Sequence, residues 1–315
     1  MSEIHESKKV AIIIPTFNRE KVLCETIESV LNLNPEPDEI WVIDQTPEHE
    51  PATEYYLNEA CKKEIKIVRL AEPGVCFARN LGAALSEADI LIYIDDDVLI
   101  DRVNFVEAHR QNYSNPDIHA VWGQIRAPNQ DTTDQRGGPD KIPQNFSRRV
   151  ENIKYLVSAN HSIRRDVLLK TGGYDESFAG RTYANEDGDF GFRLFAQGYR
   201  IDFDPNASLV HLLAPSGGNR LVGRDSFPEW TRSVTYFQFA LRHYTGVIKI
   251  WMILKVYRAI TFRRENINRP FFLPWAFGQA TYGLMIAIRR HRLGFRSSLK
   301  YPGVETLRNK YKTNG

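Results

Sequence analysis

Residues Ile90-Leu91-Ile92-Tyr93-Ile94 run directly into Asp95-Asp96-Asp97. A short apolar run, rich in β-branched residues and without polar alternation, marks a strand buried on both faces, as inside a parallel sheet. The carboxylates then fall at its C-terminal end, where open α/β sheets bind their ligands. Three adjacent aspartates repel one another, so the arrangement suggests a compensating cation. On an extended chain Asp95 and Asp97 point to one face and Asp96 to the other. A bend lets two of them converge on a metal ion while the third reaches another ligand group. Hard oxygen donors favour Mg²⁺, Mn²⁺ or Ca²⁺ over zinc. The same residues fit a solvated turn after a core strand, although functional groups concentrate at such positions.

The surrounding pattern supplies the rest of a sheet. Residues 10–14 are apolar and stopped by Pro15, and Val22, Leu23, Ile27, Val30 and Leu31 follow at helical spacing. A second strand at 39–43 ends at Asp44, a helix spans about 52–63, and a strand 65–70 precedes a helix running to about Ser86. Strand and helix in alternation predict right-handed βαβ units and a mostly parallel sheet flanked by helices. Beyond the aspartates, 105–113 reads as helix and 120–125 as strand. Residues 127–145, rich in Pro, Gly, Asp, Asn and Gln, read as a long loop of the lid or binding type. A strand-to-helix passage at 158–169 stops at Gly172-Gly173. Asn185 opens a helix ending near Gly198, 201–204 and 208–212 read as two short strands, and 215–220 as a flexible loop. From about 227 onward the chain reads as helical.

The 315 residues, 42% hydrophobic and 25% charged, suffice for one large α/β domain or two ordinary ones. The net charge of +2 conceals an asymmetry. Between Tyr236 and Val304 twelve Lys/Arg face one acid, Glu265, a surplus of eleven that leaves the remainder acidic. Such a segment suits an anionic partner. Cys24, Cys61 and Cys76 form neither a zinc pattern nor a disulfide framework and point to a reducing compartment. Residues 1–9 are polar, and no secretory signal is expected.

Taken in order, Ile13-Ile14-Pro15-Thr16-Phe17-Asn18-Arg19, Ile43-Asp44, Gly74 with Ala78-Arg79-Asn80-Leu81-Gly82, Asp95-Asp96-Asp97, Arg165 with Gly172-Gly173-Tyr174-Asp175-Glu176, Glu186-Asp187 and His211 resemble family-2 glycosyltransferases with the GT-A fold. The resemblance covers about 10–220. It implies a GT-A Rossmann-like catalytic domain at 10–228, with a donor-binding half at about 10–100 and an acceptor half at about 101–228. A flexible N-terminus (1–9) precedes it, and a basic, aromatic-rich helical extension (229–315) follows. The implied reaction is inverting transfer of one sugar from a nucleoside-diphosphate sugar (UDP-, dTDP- or GDP-linked) to a hydroxyl of a glycan or lipid-linked acceptor. A processive synthase's Gln-x-x-Arg-Trp motif is absent from the sequence. The donor contacts implied are Pro15, Thr16, Phe17, Arg19, Asp44, Arg79, Asp95 and Asp96. Within that set Pro15 and Phe17 line the base pocket, Asp44 meets the base, Arg19 or Arg79 the phosphates, and Asp96 the ribose. Asp44 is followed by Gln45 where many relatives carry a second acid. Asp97 and His211 are the metal ligands, for Mn²⁺ or Mg²⁺, with histidine more consistent with Mn²⁺. Asp187 is the general base, Glu186 its acceptor-orienting neighbour, and Asp189 a cap. Acids in a first helical turn also complement the helix dipole with Asn185 as a cap, a purely structural alternative.

Trp122, Trp230 and the aromatics at 236–239 could stack on sugars or fill the core. Residues 271–288 lack charge and are flanked by Arg269 and Arg289-Arg290-His291-Arg292. They could pack on the domain, lie at a membrane interface or span it. Basic and aromatic residues together suggest peripheral attachment through 236–304 to the cytoplasmic face of an inner membrane. No nucleic-acid partner is expected. A sugar-nucleotide nucleotidyltransferase would need a glycine-rich phosphate loop, and 15–19 contains no glycine. A P-loop ATPase would need Gly-x-x-x-x-Gly-Lys-Ser/Thr, which does not occur. A non-catalytic carbohydrate- or membrane-binding protein of the same fold would not need the acids.

Overall fold

The computed structural model describes residues 7–63, 65–128, 147–178, 185–215, 217–218 and 229–311. Most of the expected 127–145 loop, part of 215–220 and residues 1–6 of the N-terminus lie outside these. The first half alternates β1 (Val10–Thr16), α1 (Lys21–Leu31), β2 (Glu39–Asp44), α2 (Pro51–Cys61), β3 (Ile65–Arg69), α3 (Val75–Leu85) and β4 (Ile90–Ile94). After it come β5 (Val98–Leu99), α4 (Phe105–Arg110), β6 (Ile118–Arg126), β7 (Asn160–Arg164), α5 (Arg165–Thr171), α6 (Glu186–Ala196) and β8 (Arg200–His211). Helices α7 (Glu229–His243), α8 (Gly246–Thr261), α9 (Arg264–Ile267), α10 (Leu273–Leu293) and α11 (Val304–Tyr311) close the chain.

The strands form one sheet in the order β3-β2-β1-β4-β7-β6-β8-β5. Pairings from β3 to β4 are parallel, as the βαβ pattern predicts. β7 then runs antiparallel to both β4 and β6, β8 parallel to β6, and β5 antiparallel to β8, so the sheet is mixed. Both faces are covered. Along β1, Val10, Ile12 and Ile14 join one apolar cluster and Ala11 and Ile13 the other; along β4, Leu91 and Tyr93 separate likewise from Ile90, Ile92 and Ile94. Burying each of the valine, leucine and isoleucine side chains among them contributes about 1.5–3 kcal/mol.

The two short strands expected at 201–204 and 208–212 are one strand, β8, with an irregularity. Asp204 pairs with Gly123 and Ser208 with the adjacent Gln124. The residues between them accommodate Pro205, which has no N–H for the ladder.

Two motif fragments act by packing. A Cβ on Gly82 would lie 2.5 Å from Cγ2 of Ile13, so the absence of a side chain lets α3 approach β1. Gly172 ends α5 at φ 81°, and the turn after it is held by Asn80, whose Oδ1 accepts from the Tyr174 N–H (2.8 Å) and whose Nδ2 donates to the Tyr174 carbonyl (2.9 Å). The C-terminal helices have their own small core of Val234, Phe237, Ile260, Ala280 and Ala287. α11 returns to cover α3, with Leu307 in the main core.

Candidate active site

β4 delivers Asp95, Asp96 and Asp97 to the C-terminal edge of the parallel strands. The chain bends there, and the carboxylates diverge. Asp96 turns towards the β1–α1 loop and accepts from Thr16 Oγ1 (2.8 Å), Phe17 N–H (3.3 Å) and Arg19 Nε (3.0 Å). Asp97 accepts from Arg19 Nη2 and from the Ala214 N–H, both at 3.0 Å. Part of the cation expected to balance the aspartates is therefore Arg19, which binds two of them from the loop where a phosphate contact was expected. Burial nonetheless pushes the Asp96 carboxyl up to about 6, opposed by Arg19 and reinforced by Asp95 and Asp97. Burial raises Asp97 as well. At Asp95 burial is outweighed by the hydrogen bond from His211 and the charge of Arg79, and the pKa is lowered.

A cleft of about 180 Å³ lies over these residues, lined among others by Pro15, Thr16, Phe17, Arg19, Gln45, Val75, Arg79, Gly217 and Gly218. Asp44, the expected base contact, is fully buried below it. Its oxygens are taken by His49 Nε2 (3.0 Å) and the Thr46 N–H (2.9 Å). The residue that reaches the cleft from this strand end is Gln45, bridging the Thr16 carbonyl (3.1 Å) and the Gly74 N–H (2.6 Å).

A second cavity, about 560 Å³, is lined by Ile125, Arg126, Val157, Ser158, Asp187 and Leu213 and shares Asp95 and His211 with the first. Together the two fall within the range of small-molecule sites, roughly 300–1,000 Å³. Asp187 lies across the second cavity, and its carboxylate accepts from the Gly188 N–H (2.7 Å) and, at 3.4 Å, from the Ser158 N–H and hydroxyl. Glu186 points the other way, to Arg79 Nη1 (3.3 Å), and Arg79 lines the first cleft and stacks over Tyr174. Glu186 thus sits on the side of Arg79, not beside Asp187 as an acceptor contact. Both carboxyls are raised, first by burial; Asp187 adds to the effect on Glu186, and Arg79 opposes it.

The oxygens of Asp95 and Asp97 and a ring nitrogen of His211 lie within 4.8 Å of one another, a possible metal site one residue larger than the expected pair. Two carboxylates and an imidazole suit a hard-to-borderline divalent ion. His211 Nε2 faces Asp95 and Asp97 at 3.4 Å each, and Nδ1 accepts the Leu213 N–H at 3.1 Å. A neutral ring bound to metal through Nε2 carries its proton on Nδ1, so the fit requires that backbone bond to open.

Asn185 takes a left-handed conformation (φ 64°) and makes no side-chain cap. Nor is Asp189 a cap. Its fully buried carboxylate receives Arg193 Nε (2.9 Å), Arg242 Nη1 (2.8 Å) and His243 Nε2 (2.8 Å), and Arg242 reaches on to Asp175 at 2.6 Å. Trp122 and Phe237 are core residues with no exposure. The side chain of Trp230 lies outside the described residues. Sequence reasoning missed Ser158, Leu213, Arg242 and His243. Only the last two carried a signal, as an Arg-His pair in the last turn of a helix.

A family model described as Glycosyl transferase family 2 matches residues 11–172. Over 184 residues the chain is 27% identical to the glucosyl-dolichyl phosphate glucuronosyltransferase of Haloferax volcanii, covering 53% of this chain and 56% of that protein. It is 26% identical over 232 residues to the chondroitin synthase of Pasteurella multocida, covering 62% of this chain and 24% of the other. The chain thus spans about half of the first relative and a quarter of the second. Among solved structures, the mannosyltransferase PcManGT from Pyrobaculum calidifontis, in complex with GDP-Man and Mn²⁺, superposes with a TM-score of 0.54 at 16% identity, over 90% of this chain and 76% of that one. The last likeness is one of fold.

Proposed function

Since the chain belongs to glycosyl transferase family 2 and has the GT-A fold, we propose that it moves one sugar from a nucleoside-diphosphate sugar to a hydroxyl of a glycan or lipid-linked acceptor, with inversion at the anomeric carbon. The observation that carries this reading is the pair of cavities meeting at Asp95 and His211, with Arg79 in one and Asp187 in the other. In this assignment the donor base and ribose lie along Pro15, Thr16, Phe17 and Gln45, with Asp96 beneath. Asp44 enters only if it exchanges its bond to His49. Arg19 and Arg79 bring positive charge to the diphosphate.

Asp95, Asp97 and His211 would hold Mn²⁺ or Mg²⁺, the imidazole favouring Mn²⁺. A divalent ion there supplies Lewis-acid stabilisation of the charge on the departing nucleotide. Asp187 takes the proton from the acceptor hydroxyl as it attacks opposite the leaving group. Its raised pKa places it nearer the operating pH, as a general base requires. Glu186 holds Arg79 in the donor cleft. The acceptor is met at a membrane surface on the cytoplasmic side, through the extension.

Asp187→Asn keeps the shape and removes the base. Transfer is expected to fall by about 10²–10⁴-fold, with nucleotide-induced thermal shifts unchanged in a panel of UDP-, GDP- and dTDP-sugars with and without Mn²⁺. A variant with near-wild-type turnover refutes the assignment of the base.

A further inference from the structure

The extension carries a surface that the reaction does not use. α10 has two unlike sides. Ala276, Ala280, Gly283 and Ala287, three or four residues apart, are buried where the helix packs on α7 and α8. Phe271 just before the helix is 95% exposed, and Trp275, Phe277, Tyr282 and Met285 also face outwards. Neighbouring α8 exposes Val247 (80%), Ile248, Ile250, Trp251 and Leu254. Isolated apolar residues on a surface need no explanation, but this many on two adjacent helices mark an interaction site.

Charge selects the partner. Lys255 and Arg258 of α8, Arg264 of α9, Arg269 between α9 and α10, and Arg289 and Arg292 of α10 are exposed, and Lys255 Nζ lies 3.5 Å from the centroid of the Trp251 ring. Between Tyr236 and Val304 twelve Lys/Arg stand against the single acid Glu265, a one-sided surplus that fits a continuous anionic surface. An anionic bilayer accepts both parts of this surface: apolar and aromatic side chains enter the acyl boundary, and the cations meet headgroup phosphates.

We propose that α8 and α10 lie in the plane of an anionic phospholipid surface and dock the enzyme on it. This deepens the membrane contact in the functional reading above and rests on it for location, not for chemistry. By length and composition 270–293 could cross a membrane. In-plane docking follows because one side of α10 is already committed to α7 and α8, and the open side ends in the exposed Arg289 and Arg292.

The test is flotation of the full chain with phosphatidylcholine vesicles, with and without phosphatidylglycerol, at low and high salt. The wild type is expected to float with the anionic vesicles at low salt, to be released by salt or alkaline carbonate, and to shift its tryptophan emission to the blue on binding. The triple variant Trp251→Ser, Trp275→Ser, Phe271→Ser is expected to bind about tenfold more weakly, with unchanged melting temperature and unchanged nucleotide-induced shift. Three outcomes overturn the proposal: wild-type protein that stays at the bottom of the gradient, binding that resists carbonate, or a stable dimer that the triple variant converts to monomer. None of these touches the transferase reading, which the nucleotide shift tests separately.

Discussion

Glu186 and Asp187 are consecutive, yet their side chains leave in different directions, one to Arg79 and the first cleft, the other to Ser158 and the second cavity. Burial raises both, so the native protein holds their protons to higher pH than the unfolded chain does. Their contribution to stability is then greatest below the ordinary carboxylate range and is lost as pH rises through the native values. For activity the proposal that Asp187 is the base gives the opposite sign, because a base must be ionised. The acid limb of kcat/KM is expected above the usual carboxylate pKa of about 4. Glu186→Gln removes the adjacent like charge and releases Arg79, both of which favour ionised Asp187, so the limb moves to lower pH. An unmoved limb would exclude Asp187 as the titrating group. At this scale the sequence identified which acids to watch but not which partners they choose. The Glu186–Arg79 contact joins residues 107 positions apart, as the Arg19–Asp96 contact joins residues 77 apart, and neither separation leaves a local pattern.

Elements meet through a few such contacts, and the one between α6 and α7 combines aromatic packing of Phe192 on Phe239 and His243 with a buried charge cluster. Asp189, in the first turn of α6, is held by Arg193 of its own helix and by Arg242 and His243 of α7. Burial works against its ionisation. The His243 hydrogen bond and the two guanidiniums prevail, and its pKa falls to about 2 from an ordinary 3.8. The stability this represents is present above 3.8 and lost as pH falls through 2. Arg242→Met leaves Asp175 without its guanidinium partner and weakens the hold on Asp189. Removing one member of a buried ion cluster costs about 3–5 kcal/mol, so the variant is expected to melt well below the wild type at neutral pH, with the gap narrowing on acidification towards 2. A constant gap across that range would mean that packing, not charge, joins the helices. The parallel strands and their helices were legible because period and punctuation are local. The single β8 was not, because its continuity depends on pairing with β6 across a proline.

For the whole molecule, composition announced the change of character near residue 229 but not how the later helices attach. The small-residue side of α10 is invisible to a count of charge or apolar content, yet it separates the packed side from the open one. α11 covers α3, whose other side lies on the sheet, and Arg308 donates to the carbonyls of Ala84 and Ser86. Cutting the chain after residue 228 would therefore uncover α3 and strand Asp175 and Asp189 in the interior without Arg242. Such a fragment is expected to be insoluble or to lack a cooperative melt, and a fragment that unfolds sharply on its own would contradict this. If it holds, the boundary has an evolutionary meaning. The catalytic part could not be traded between proteins as a free module. Any exchange that succeeded would carry its basic helices with it, so a change of cellular address would be inherited together with the chemistry.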